Sequence, residues 1–186
     1  MKILRKLSRL SVWIAGGCVL LSAAAIGVEV VLRKLFGVSL GGVDEISSYV
    51  FAIGVAWSLA FTLLERAHIR IDLVYERMSA PARLAADLLA LLCLLVVSAV
   101  LLQQAAQVAW MSWSFGTRSN TPLGVALWVP QFLWVAGILF FVLCQLALLV
   151  ALIRLARAGR ATDAGGLTGI RTFSEETEDY MPQVNK

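Results

Sequence analysis

Along this chain, charge and apolarity separate into long blocks instead of alternating residue by residue. No Asp, Glu, Lys or Arg falls within residues 10–28, 46–64, 88–117 or 119–153. A helix of about 20 apolar residues crosses a hydrocarbon core roughly 30 Å thick, and it does so with every backbone N–H and C=O satisfied internally. The pattern therefore predicts four transmembrane helices, at about 10–32, 44–64, 84–110 and 130–153. The third and fourth blocks exceed a minimal span, and Pro122 and Pro130 limit helical continuity near the start of the fourth, so interfacial turns are expected between them.

Between the second and third helices the period changes. Ile71, Val74, Tyr75 and Met78 fall at i, i+3, i+4 and i+7, with Arg70, Glu76 and Arg77 off that stripe, which predicts a short amphipathic helix lying on the inner membrane surface. Ser79 suits the cap of the next helix, and Pro81 is tolerated in its first turn. Beyond Arg160 the chain runs through "ATDAGGLTG" into the acidic "SEETED", too polar to bury a core. The expected fold class is an all-α integral membrane protein: one four-helix domain over 1–160, followed by a mobile cytoplasmic tail over 161–186.

Composition supports a bilayer setting. Hydrophobic residues make up 60% of the 186 and charged residues 15%, against about 45–50% and 25% in soluble domains. The net charge of +4 does not imply nucleic acid, because the bases flank apolar blocks and act as orientation signals. Lys2, Arg5, Lys6, Arg9, Arg66, Arg70, Arg77, Arg83, Arg154, Arg157 and Arg160 lie on one side, against Arg33, Lys34 and Arg118 on the other, which places both termini in the cytoplasm. Trp110 with Trp113, and Trp128 with Trp134, mark the outer interface. Cys18, Cys93 and Cys144 stand alone in apolar runs and read as packing residues. "MKILRKLSRL" followed by "SAAA" also resembles a secretory signal, but residues 10–28 exceed the usual 7–15-residue signal core and read as an uncleaved anchor.

Helix two carries two rows of small residues: Ser48, Ala52, Ala56 and Ala60, and beside them Gly54, Ser58 and Thr62. Such rows let helix backbones approach closely in lipid, although an alanine-rich chain also produces them by chance. Asp44 and Glu45 open the same helix, where its dipole favours negative charge. Together with the first row they are candidate subunit-interface residues. Gln103, Gln104 and Gln107 thicken the outer half of helix three with amides that should face protein or water.

No constellation points to an enzyme. His68, the sole histidine, lacks a second His or a Cys set for haem or zinc, and no serine sits in a nucleophile elbow. No catalytic, cofactor-binding or metal-ligating residue is assigned. Arg66, His68, Arg70 and Asp72 instead read as a cytoplasmic-surface cluster facing membrane lipids or a partner, with His68 and Asp72 at i, i+4. Glu29 is the other candidate, because ionisable groups near membrane depth often mark ion or substrate pathways. A Glu in the first of four short helices is also similar to small proton-coupled multidrug exporters. Arg33 four residues later favours an ion pair at the outer interface instead.

The passage from Arg33 through "FGVSLGGVDEISSYVFAIGVAWSLAFTLLERAHIRIDLV" resembles the small membrane subunit, DctQ-like, of tripartite ATP-independent periplasmic (TRAP) transporters. The residues that carry the likeness are Arg33, Gly37, Asp44 with Glu45, Tyr49 and Phe51, Arg66, and His68, Ile69, Ile71 and Asp72. Val43 stands where the family often has tryptophan, Asp44 where Glu is common, and Ala67 at a usual glycine position. The resemblance implies a bacterial inner-membrane complex in which a periplasmic binding protein captures an organic acid and a large permease subunit carries it inward. An ion gradient drives the transport, usually sodium, with the ion held on the large subunit. The small subunit would act as a scaffold, without chemistry or cofactor of its own; a stand-alone proton-coupled exporter working through Glu29 is the alternative.

Overall fold

A computed structural model describes residues 2–65 and 78–159. It is all-helical apart from one isolated bridge between Arg118 and Ala126. We label the helices α1 (Lys2–Phe36), α2 (Val43–Leu64), α3 (Ala80–Ser114) and α4 (Trp128–Arg157). All four are long and apolar enough to span a membrane. The amphipathic segment expected around residues 71–78 falls almost entirely outside the described residues, as does the tail over 161–186.

Each helix overruns the range expected from sequence. At 35 residues, α1 and α3 are about 52 Å long, well beyond the hydrocarbon core. The charge-free blocks measured the span, whereas a helix continues until something breaks it. For α1 that breaker is Gly37, whose φ of 67° provides the left-handed turn after Phe36. For α4 the expected start at Pro130 is two residues late. A proline in the first turn sacrifices no intrahelical bond and has no preceding helical carbonyl to strike, so the helix begins at Trp128. Ser79 occupies the N-cap position of α3 in an extended conformation with Pro81 in the first turn, but its side chain makes no capping hydrogen bond.

The main packing order is α1, α2, α4, α3. The chain forms two helical hairpins, α1–α2 and α3–α4, joined through α2 and α4. Centrality follows from this order: α4 contributes ten buried residues, whereas in α1 the described buried residues are Ser8 and Glu29. The larger core cluster gathers Ala60, Leu63 and Leu64 of α2, Leu84 and Leu91 of α3, and Phe140, Phe141, Cys144, Leu148 and Leu152 of α4. Elsewhere the helices turn apolar side chains outward, including Leu20, Leu21, Val96 and Val97. In water such a surface would aggregate, whereas against lipid tails it is the stable arrangement.

The small residues of helix two work inside the chain. A Cβ on Gly137 of α4 would lie 3.0 Å from Ala56 Cβ and 2.7 Å from Trp57 Cδ1, so α2 and α4 meet nearly backbone to backbone. On the other side of α2, a Cβ on Gly54 would come within 3.3 Å of Ala15 in α1. Of the row proposed as a subunit interface, Ala56 and Ala60 are fully buried against neighbouring helices, while Ser48 and Ala52 stay exposed. Small residues let the backbones approach here, but the partner for half the row is the chain's own packed helices, α4 foremost. Trp57 reinforces the contact, donating from Nε1 to the Leu133 carbonyl at 3.1 Å and stacking on Phe140 at 5.8 Å.

A polar tie crosses the α3–α4 interface. Ser98 Oγ donates to Gln145 Oε1 at 2.6 Å, and Gln145 is wholly buried with Nε2 unpaired among the described residues. Of the cysteines, Cys144 packs in the core, but Cys18 and Cys93 face outward.

Candidate functional site

The two loops at the end of the helices opposite the termini form the most constructed polar region of the described chain. Both are short and rich in glycine and hydroxyl residues, and each is held by one glutamate.

Glu29 is 2% exposed near the end of α1. Its Oε1 accepts from Arg33 Nη2 at 2.6 Å and from Ser39 Oγ at 2.7 Å, and its Oε2 accepts from the backbone N–H of Leu40 at 3.1 Å. One carboxylate thus joins the last turns of α1 to the α1–α2 loop. Arg33 itself remains about half exposed. Both oxygens are engaged, which leaves the exporter reading without a free carboxylate on which to carry protons.

Glu45 does the corresponding work for the other loop. Its Oε1 accepts from Tyr49 Oη at 2.5 Å, one turn along α2, and its Oε2 accepts from Thr121 Oγ1 in the α3–α4 loop. That loop is a compact hairpin. The Arg118–Ala126 bridge, Ser119 Oγ accepting from the Val125 N–H at 3.0 Å, and Arg118 donating to the Gly124 carbonyl at 3.2 Å all close it. The loops also meet sterically: Gly42, at φ 98°, lies where any Cβ would fall 2.2 Å from Leu123 Cδ1. A side chain there would have to displace Leu123 and hold a backbone conformation that L residues rarely adopt. Beside the platform, Trp113 and Trp128 pack edge to face at 4.6 Å.

The acidic pair therefore divides. Neither residue caps α2 by a side-chain hydrogen bond, since Gly42 holds the N-cap position. Glu45 is consumed by the loop junction. Asp44 is exposed and borders a groove of about 390 Å³ between α1 and α2, alongside Ser22, Ser47, Ser48 and Phe51. Among the described residues no partner meets its carboxylate.

At the opposite end, Arg9 pairs with Glu65 at 3.2 Å, linking the start of α1 to the end of α2. Arg66, His68, Arg70 and Asp72 lie outside the described residues. Among the described residues no group of three His, Cys, Asp or Glu side chains is placed to hold a metal.

Several participants were not visible as such in the sequence. Ser39 and Thr121 read as ordinary loop hydroxyls, and their roles depend on which loop meets which glutamate. Tyr49, four residues after Glu45, carried a local signal because i, i+4 side chains are neighbours on a helix. Asp87, immediately before a charge-free block, is 3% exposed and engaged in a polar interaction.

No curated protein and no solved structure matches this chain. The family model described as "Tripartite ATP-independent periplasmic transporters, DctQ component" matches residues 22–158, a stretch that begins in the first helix, runs through both loops of the platform and ends just past α4. Covering well over half the chain, that match makes this protein a member of the DctQ family, the small membrane component of TRAP transporters.

Proposed function

We propose that this TRAP small subunit is a scaffold that holds the large permease subunit in the bilayer during ion-gradient-driven uptake of an organic acid delivered by a periplasmic binding protein. The observation that carries the reading is the locked platform. Glu29 ties the α1–α2 loop to the end of α1, Glu45 ties the α3–α4 loop to the start of α2, and the outward faces of α1 and α3 are left mostly apolar. Rigid ends and uncovered sides suit a part that supports another membrane protein. In this reading the chain lies in the bacterial inner membrane with both termini cytoplasmic, the orientation favoured by eleven basic residues on that side against three. The platform then faces the periplasm, where Asp44 is available to a docking protein. The coupling ion and the substrate are held by the large subunit.

Co-expression with the adjacent permease gene tests the proposal. The two chains should co-purify in detergent, and deletion of the small subunit should abolish uptake by cells supplied with the binding protein. Failure to co-purify, together with intact uptake after deletion, overturns it.

A further inference from the structure

Gln103, Gln104 and Gln107 are all exposed on α3, and among the described residues none of their amides has a hydrogen-bond partner. At 100° per residue, the three fall within one sector of the helix about half a turn from the face formed by Leu91, Ser98, Ala105 and Ala109, which packs on α4. No described helix of this chain covers them. Their depth makes this consequential. The midpoint of α3 is near residue 97, so the amides lie about 9–15 Å towards the loop platform, below Trp110 and within the hydrocarbon half-thickness of roughly 15 Å. A glutamine side chain offers two donors and two lone pairs, and lipid tails satisfy none of them.

We propose that this amide stripe is the seam on which α3 seats a transmembrane helix of the permease subunit, one that presents side-chain hydroxyl or amide groups to it. The inference rests on the scaffold reading and specifies its contact face. The stripe continues into exposed Val96 and Val100, whose stiff branched side chains provide a packing surface at low entropic cost. A second copy of this chain is a poorer occupant. Two-fold pairing would set exposed Trp110 and Met111 against their own counterparts, where tight homotypic crossings use small residues.

The test co-expresses tagged small subunit with the permease and compares the wild-type chain with the Gln103→Leu/Gln104→Leu/Gln107→Leu variant. Three lost interhelical hydrogen bonds should weaken retention of the permease on the order of tenfold, while the melting temperature of the isolated subunit is unchanged or raised. A benzophenone amino acid incorporated at position 104 should photo-cross-link to the permease. Undiminished retention by the triple-leucine variant, a cross-link to a second small subunit, or cross-linking to lipid alone each overturns the proposal. If the wild-type subunit retains no permease at all, the scaffold reading fails first, and the two failures are thereby distinguished.

Discussion

Replacing Gly137 by alanine tests the central joint. In a helix interior this exchange ordinarily stabilises by about 0.8–1 kcal/mol, because glycine carries the greater backbone entropy. Here the added methyl would stand 2.7 Å from Trp57 Cδ1, 3.0 Å from Ala56 Cβ and 3.0 Å from the Trp57 backbone nitrogen. The indole could yield by rotation only at the expense of its bond to the Leu133 carbonyl, worth about 0.5–1.5 kcal/mol. The backbone nitrogen moves only if α2 and α4 separate. Overpacking of this kind costs about 1–3 kcal/mol, so the net expectation is destabilisation by about 1–3 kcal/mol. For a chain of this size that lowers the melting temperature by roughly 2–12 °C. The assay is thermal unfolding of the detergent-purified subunit followed by tryptophan fluorescence, with Gly17→Ala as the internal control. A Cβ at Gly17 meets nothing within 4 Å, so that variant should melt at or slightly above the wild type. If Gly137→Ala melts as high as Gly17→Ala, α2 and α4 do not meet at this point and the packing order given above is wrong.

Other outcomes follow from the polar ties. Thr121→Val should lower the melting temperature, and a double-mutant cycle with Glu45→Gln should show coupling; additive effects would mean the loops are not joined there. Glu29→Ala should release the α1–α2 loop and accelerate tryptic cleavage after Arg33 or Lys34, and unchanged cleavage would refute its anchoring role. Ser98→Ala should cost about 1–3 kcal/mol by leaving Gln145 with no partner at either end. Gln145→Met should cost less, since the freed Ser98 hydroxyl can turn to the Leu94 carbonyl 2.8 Å away; the reverse order in thermal melts would contradict the assigned geometry.

Much of the architecture was legible because lipid constrains sequence so severely. Charge-free blocks longer than a bilayer crossing admit few solutions, and four such blocks gave four helices. Helix ends were less legible: apolarity reports where lipid ends, while Gly37 and the first-turn Pro130 govern where the helix does. Small residues on α2 announce close approach without naming the neighbour, and for Ala56 and Ala60 that neighbour lies within the chain. Glu29 was readable as a pair with Arg33, because one turn of helix suffices to bring them together. That the same carboxylate also receives Ser39 and Leu40, or that Glu45 reaches 76 residues ahead to Thr121, depends on how the loops fold back, which local spacing does not encode.

The joining of α1–α2 to α3–α4 chiefly through the α2–α4 pair, with the loop contacts of Glu45 and Gly42 above it, has a bearing on biogenesis. Each hairpin satisfies its own backbone and can enter the bilayer before the other is made, so docking at Ala56 and Gly137 is a late, lateral event between two preformed halves. A chain severed after Glu65 and supplied as two polypeptides should therefore be able to reconstitute the subunit in the membrane.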